Sequence, residues 1–246
     1  MSLELLFTVS FLMLIAAALY SSVGHAGASG YLAIMALFSF APMQMKPTAL
    51  ALNILVATIA TVQFYRAGFF SWKLFLPFAV TSVPFAYFGG RIDLGVEAYR
   101  MVVGIVLLFA AFRLFLSSVQ KNPEKIAPPS YWVGTFVGAG LGFLSGLTGV
   151  GGGIFLTPLL LLMKWTEVKP AAAVSAMFIL VNSVSGLIGN WRNIGQISES
   201  IPFFASAVLI GGFAGSYLGT RKFDTTTLRR VLAVVLVIAG YKLIFT

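Results

Sequence analysis

The sequence has no cysteine and a single histidine, His25. The first absence excludes disulfides, thiolate metal sites and sulfur-relay chemistry. The second leaves a metal ion without a second nitrogen ligand, so no metal site is expected. Charge is equally scarce: charged residues are 9% of 246, against about 25% in an ordinary soluble domain. A chain so poor in charge cannot cover a water-facing surface, so its solvent is largely lipid. The seven acidic residues, Glu4, Asp93, Glu97, Glu124, Glu167, Glu199 and Asp224, all fall at the ends of apolar runs or between them. That disfavours a proton relay or cation site built on buried carboxylates. No paired carboxylates and no nucleophile–base–orienter set are visible, so an enzyme is not expected. No phosphate-binding loop is present, which argues against direct ATP coupling, and no cofactor is expected.

What the chain has is apolar sequence: 59% hydrophobic residues and a mean hydropathy of +0.97. Ten apolar stretches stand out, roughly 5–22, 28–40, 47–65, 73–90 and 99–117, then 132–146, 152–164, 170–190, 202–219 and 228–245. Most approach the ~20 residues needed to cross a ~30 Å hydrocarbon core. The stretches 28–40 and 152–164 are too short to cross as helix, and each follows a turn of small residues. No strand-like alternation is present, so the expected fold is an all-α, multi-pass integral membrane protein, with the cell's inner membrane as its location. The apolar run from Leu5 to Tyr20 resembles a signal peptide, but Glu4 precedes it where a basic residue is usual, so it reads as retained. Net charge is +9. The basic residues are scattered between apolar runs, which fits topogenic charge and lipid headgroup contact and not nucleic-acid binding.

The two halves repeat. Shifting the first by 123 residues brings Ser22 onto Ser145, Gly30 onto Gly153 and Lys46-Pro47 onto Lys169-Pro170; further on the offset drifts to about 130, where Arg91 meets Arg221 and Arg100 meets Arg230. The organisation expected is a first membrane repeat over 1–120, a polar Pro-rich linker over 121–130 and a second repeat over 131–246. Five segments per half, with the short ones either crossing or re-entrant, make an odd parity that inverts the second repeat. Under that parity Lys46, Arg91, Arg100, Arg192 and Lys242 share one side, and the other eleven of the 16 Lys and Arg share the opposite side. The richer side is the cytoplasmic one, with the central linker on it.

The chemistry concentrates in two turns. Gly146–Pro158 reads GLTGVGGGIFLTP and its partner Gly24–Tyr31 reads GHAGASGY. Each joins a long apolar segment to a short one. Glycines leave backbone N–H groups uncovered, and the helix that follows adds free donors and the positive end of its dipole. Together they make an anion site that needs no lysine, as expected where interrupted helices meet near the midplane of a transporter. Close helix packing by small residues is the alternative account of the same glycines. The candidate substrate-binding positions are His25, Gly27, Ala28, Ser29 and Gly30 in the first turn, and Thr148, Gly149, Val150, Gly151, Gly152 and Gly153 in the second, with Thr148 opposite His25 in the repeat. His25 either serves the substrate or hydrogen-bonds a neighbouring helix. Asn53 and Asn182, polar inside apolar runs, are candidates for the same pathway, whereas Gln63 and Ser175 read as interhelical hydrogen bonds. Pro47, Pro170 and Pro202 fit helix starts.

The stretch GFLSGLTGVGGGIFLTPLLLL, followed by a Lys-Pro and a long apolar helix, resembles the sulfite exporter TauE/SafE family, grouped with the 4-toluene sulfonate uptake permeases. GHAGASGYLAIM and MKPTALALN in the first half look like the same pattern, diverged. The resemblance covers nearly the whole chain. It implies a permease for a small sulfur-containing anion such as sulfite or an organosulfonate, with a homodimer as one arrangement left open. A passive anion channel and a non-transporting membrane scaffold or enzyme subunit are the competing expectations.

Overall fold

Each of the ten apolar stretches forms an α-helix in the computed structural model, which describes residues 2–116, 126–127, 129–221 and 226–245. The helices are α1 (Leu3–Ser21), α2 (Ala28–Leu37), α3 (Pro42–Arg66), α4 (Trp72–Arg91), α5 (Val96–Leu116), α6 (Tyr131–Thr148), α7 (Gly153–Leu162), α8 (Val168–Gly189), α9 (Ile201–Thr220) and α10 (Thr226–Phe245). No strand occurs among the described residues. Four helices, α1, α3, α8 and α9, are long and apolar enough to cross a bilayer by length and composition alone. In contrast, α2 and α7 have 10 residues each, about 15 Å of helix, half a hydrocarbon core. Of the expected polar linker, residues 121–125 and 128 lie outside the described residues.

The bundle is held together by backbones in close approach. Along α6, Gly134, Gly138, Gly142 and Gly146 recur every fourth residue and face α4. A Cβ on Gly138, Gly142 or Gly146 would collide with the carbonyl oxygens of Phe78, Ser82 and Ala86 in turn. The same device joins α9 to α1, where Gly211, Gly215 and Gly219 sit against the carbonyls of Leu14, Ala18 and Ser22. Lipid tails are as apolar as leucine, so association of membrane helices relies on such close packing. Large apolar side chains turn outward instead, among them Phe7, Phe11, Phe85, Phe88, Ile210 and Phe213.

At the centre, α3 packs on α8; α4 packs on α8 as α9 does on α3, and α5 pairs with α10. Two lysines fix the ends. Lys46 Nζ, buried near the start of α3, donates to the carbonyls of Gly90 at 2.9 Å and Ile92 at 3.1 Å, at the C-terminus of α4. Lys169 Nζ, near the start of α8, donates to Thr220 O at 3.0 Å, the last residue of α9. A cation at a helix C-terminus satisfies carbonyls that have no intrahelical donor and complements the dipole. Lys46 and Lys169 therefore do equivalent work at opposite ends of the bundle. Pro170 and Pro202 lie in the first turns of α8 and α9, as expected, but Pro47 does not start a helix. It lies inside α3, because the chain already turns helical at Pro42, with its own proline at the first position.

Candidate functional site

The two half-length helices start beside each other in the core, where His25 meets Gly153 and Thr157. Before α2 the chain turns through Gly24 (φ +76°) and Gly27 (φ +109°); before α7 it turns through Gly149, Gly151 and Gly152, all with φ near +80°. These are left-handed conformations that only glycine adopts cheaply. Gly27 and Gly152 are the residues just outside the first turns of α2 and α7. Past their other ends, Ser39 and Lys164 are the only non-glycine residues with positive φ among those described. Residue 27 thus answers to 152 and 39 to 164, an offset two residues longer than the 123 read from the sequence. By this geometry Val150, and not Thr148, occupies the place of His25.

His25 ties the two turns together. Its Nε2 lies 3.0 Å from Gly153 O and 2.9 Å from Thr157 Oγ1. Thr157 in turn donates to Ser175 Oγ of α8 at 2.7 Å. The expected interhelical role of Ser175 is therefore met, and His25 itself bonds a neighbouring helix. The first turn is braced by Tyr31, whose hydroxyl donates to Ala26 O at 2.6 Å. Ala28, Ser29 and Gly30 form the first turn of α2 and are buried.

The second turn is held from α3, α5 and α8. Asn53 Nδ2 donates to Val150 O and to Ser183 Oγ, each at 3.4 Å. Tyr99 of α5 donates its hydroxyl to Thr148 O at 3.2 Å, and Thr148 Oγ1 accepts from Val150 N. Gly153 and Ile154, first in α7, have no carbonyl of their own helix for their N–H groups. A Cβ on Gly151 would lie 2.7 Å from Asn53 Nδ2 and 2.8 Å from Ile179 Cγ2; one on Gly152 would lie 2.9 Å from the Phe178 ring. The turn is therefore buried and closely packed, with no room for side chains on its glycines.

Asn53 and Asn182 are fully buried, and the Oδ1 of each is without a hydrogen-bond partner. The structure separates them, however. Asn53 reaches the second turn, whereas Asn182 Nδ2 donates to Phe178 O of its own helix at 2.8 Å and bonds neither turn. Three participants were invisible as such in the sequence. Lys46 reads as topogenic charge, but its backbone lies against Gly149; nothing in the sequence sets Tyr99 and Thr157 apart from the apolar runs that hold them. The Lys-Pro repeat was the one signal that could have singled out Lys46.

Half-length helices that begin in a buried core, inside a bundle of membrane-length helices, are an arrangement found in membrane transporters. Comparison with known proteins agrees and is more specific. The model of the sulfite exporter TauE/SafE family matches residues 9–243, and the chain belongs to that family. It is 38% identical over 229 residues to the probable membrane transporter protein y4hK of Sinorhizobium fredii, covering 92% of this chain and 93% of that one. It is 27% identical over 180 residues to the probable membrane transporter protein MJ0441 of Methanocaldococcus jannaschii, covering 69% and 67%. It is 24% identical over 221 residues to the probable membrane transporter protein YunE of Bacillus subtilis, covering 80% and 79%. No solved structure matches the chain.

Proposed function

We propose that this protein is a secondary carrier of the inner membrane that moves a small sulfur oxyanion, sulfite or an organosulfonate, by alternating access about two inverted repeats, without chemical conversion. The observation that carries the reading is the buried turn at 149–153. It presents unpaired N–H groups at the start of α7, beside an asparagine whose Oδ1 has no partner. A sulfonate or sulfite offers three oxygens to such donors, and a helix N-terminus complements its charge. The family name supplies sulfite as the first candidate.

The repeat reading draws on the matched packing of α4 with α6 and α1 with α9, and on the matched roles of Lys46 and Lys169. Residues on both turns would contribute to substrate binding: His25 and Gly27 to Gly30 on one, Thr148 to Gly153 on the other, with Asn53 completing the shell. Asn182 would join it only in a second conformation. Burial of all these groups favours a carrier over an open pore.

The test is uptake of radiolabelled sulfite into vesicles reconstituted with the purified protein. Saturable uptake, accelerated by unlabelled sulfite on the opposite face and lost in Gly152→Leu, is expected of a carrier. Flux that never saturates would make it a channel. No flux of any sulfur oxyanion, from a folded protein, would leave the scaffold reading.

A further inference from the structure

A cavity of about 250 Å³ lies at the end of the bundle where α3 begins, lined by Lys46, Asp93, Tyr99, Asn190 and Asn193 among others. A smaller one of about 70 Å³ adjoins it, sharing Asp93, Asn190 and Asn193 and adding Arg91 and Arg192. The floor of this vestibule is the outer wall of the glycine turn. Tyr99 reaches from it to Thr148 O, and a Cβ on Gly149 would come 3.2 Å from Lys46 O.

Hydrogen-bond chemistry fixes how the amides in it are oriented. The Asp93 carboxylate only accepts, so the Asn193 atom 2.6 Å from it is the donating Nδ2. The same Nδ2 lies 2.9 Å from Asn190, which must then present its Oδ1. The other end of Asn190 is therefore its Nδ2, and that atom is buried without a partner, on a residue that is 2% exposed. An unpaired buried donor asks for an acceptor. Three cations, Lys46, Arg91 and Arg192, line the two cavities against one carboxylate. The acceptor that fits is an anion.

We propose that this vestibule is a capture subsite for the transported oxyanion, drawn in by the charge of Lys46, Arg91 and Arg192 and taken up by Asn190 Nδ2 once that sealed amide turns toward the cavity, with Asp93 as a built-in competitor that keeps capture weak. The proposal rests on the carrier reading and adds to it the place where the anion first binds. A subsite that held its ion tightly would not release it inward to the glycine turn; Asp93 lowers that affinity.

Two substitutions of nearly unchanged shape give opposite signs. Sulfite uptake by reconstituted Asn190→Asp should show a KM raised about tenfold, because a donor is exchanged for a negative charge. Asp93→Asn keeps an acceptor for Asn193 but removes the competing charge, and its KM should fall about threefold. Vmax should stay within about twofold of the wild type in both, since neither touches the glycine turn. A merely structural role would impair both variants alike. Unchanged KM in both, or a rise in both, would overturn the proposal and assign the vestibule to water. A wild type that moves no sulfite would sink the carrier reading instead. The capture site would then be judged on whether sulfite raises the melting temperature of the wild type but not of Asn190→Asp; equal shifts, or none, would reject it.

Discussion

His25 Nε2 and the carbonyl oxygen of Gly153 lie 3.0 Å apart, across the junction between the two half-length helices. A carbonyl can only accept, so Nε2 carries the proton. The same N–H is shared with Thr157 Oγ1, whose own proton goes to Ser175. One ring atom thus joins the turn before α2 to α7 and, through Thr157, to α8.

Nitrogen NMR on histidine-labelled protein tests this directly, since the chain has a single histidine to assign. At neutral pH the spectrum should report a protonated Nε2. A neutral ring protonated at Nδ1 alone would contradict the geometry. His25→Ala should lower stability by about 1–3 kcal/mol, the cost of stranding buried partners, read as a fall in melting temperature in detergent.

Gly151 and Gly68 separate backbone strain from disruption of the turn. Both have positive φ, +82° and +78°, but a Cβ on Gly68 meets nothing within 4 Å, whereas one on Gly151 meets Asn53 and Ile179. Alanine at either position costs about 1–2 kcal/mol of strain. Gly68→Ala should therefore lose some stability and keep sulfite affinity. Gly151→Ala should lose more stability than Gly68→Ala, because its Cβ also crowds Asn53 and Ile179, and at least about tenfold in sulfite affinity, because Asn53 is displaced. Sulfite titration followed by thermal stabilisation distinguishes them, and equal affinities would remove the turn from the binding site.

The fold was largely legible because hydropathy reports helix existence well: ten apolar runs became ten helices, and the two undersized runs became α2 and α7. The turns were legible because glycine is required where φ is positive. What escaped was pairing in space. The sequence offset matched His25 with Thr148, two residues from its structural counterpart, because spacing cannot register where a helix begins. Asn53 and Asn182 looked equivalent, yet only Asn53 reaches a turn, since helix rotation is set by packing and leaves no mark in composition. Lys46 appeared as surface charge because an ammonium buried on helix-end carbonyls has the same sequence as one in water.

The two capping lysines make a graded pair. Lys46 is 6% exposed and bonds Gly90 and Ile92, with Gly89 O at 3.5 Å; Lys169 is half-buried and, among the described residues, bonds Thr220, its Nζ 4.6 Å from the Phe69 ring centre. Methionine keeps the apolar stem and removes the donors. Lys46→Met should cost about 2–3 kcal/mol and Lys169→Met about 1 kcal/mol, from the number of carbonyls left unpaired. Denaturation followed by helix signal reads both losses, and a larger loss at Lys169 would reverse the assignment.

The α6 seam offers an internal control within one helix. Gly140 and Gly142 are both helical, two residues apart, and so point to different faces. A Cβ on Gly140 meets nothing within 4 Å; one on Gly142 runs into the Ser82 backbone at its carbonyl oxygen, Cα and carbonyl carbon. Backbone cannot step aside as a flexible side chain can, so α4 and α6 would have to separate along the whole seam. Gly142→Ala should therefore cost at least about 2–3 kcal/mol, the upper part of the range for overpacking. Gly140→Ala relieves the intrinsic penalty of glycine in a helix and should leave stability equal or raise it by up to about 1 kcal/mol. Melting of the two variants in the same detergent gives the comparison. Equal melting temperatures would mean that α6 does not pack on α4 through its glycines, and that the account of what holds this bundle together is wrong.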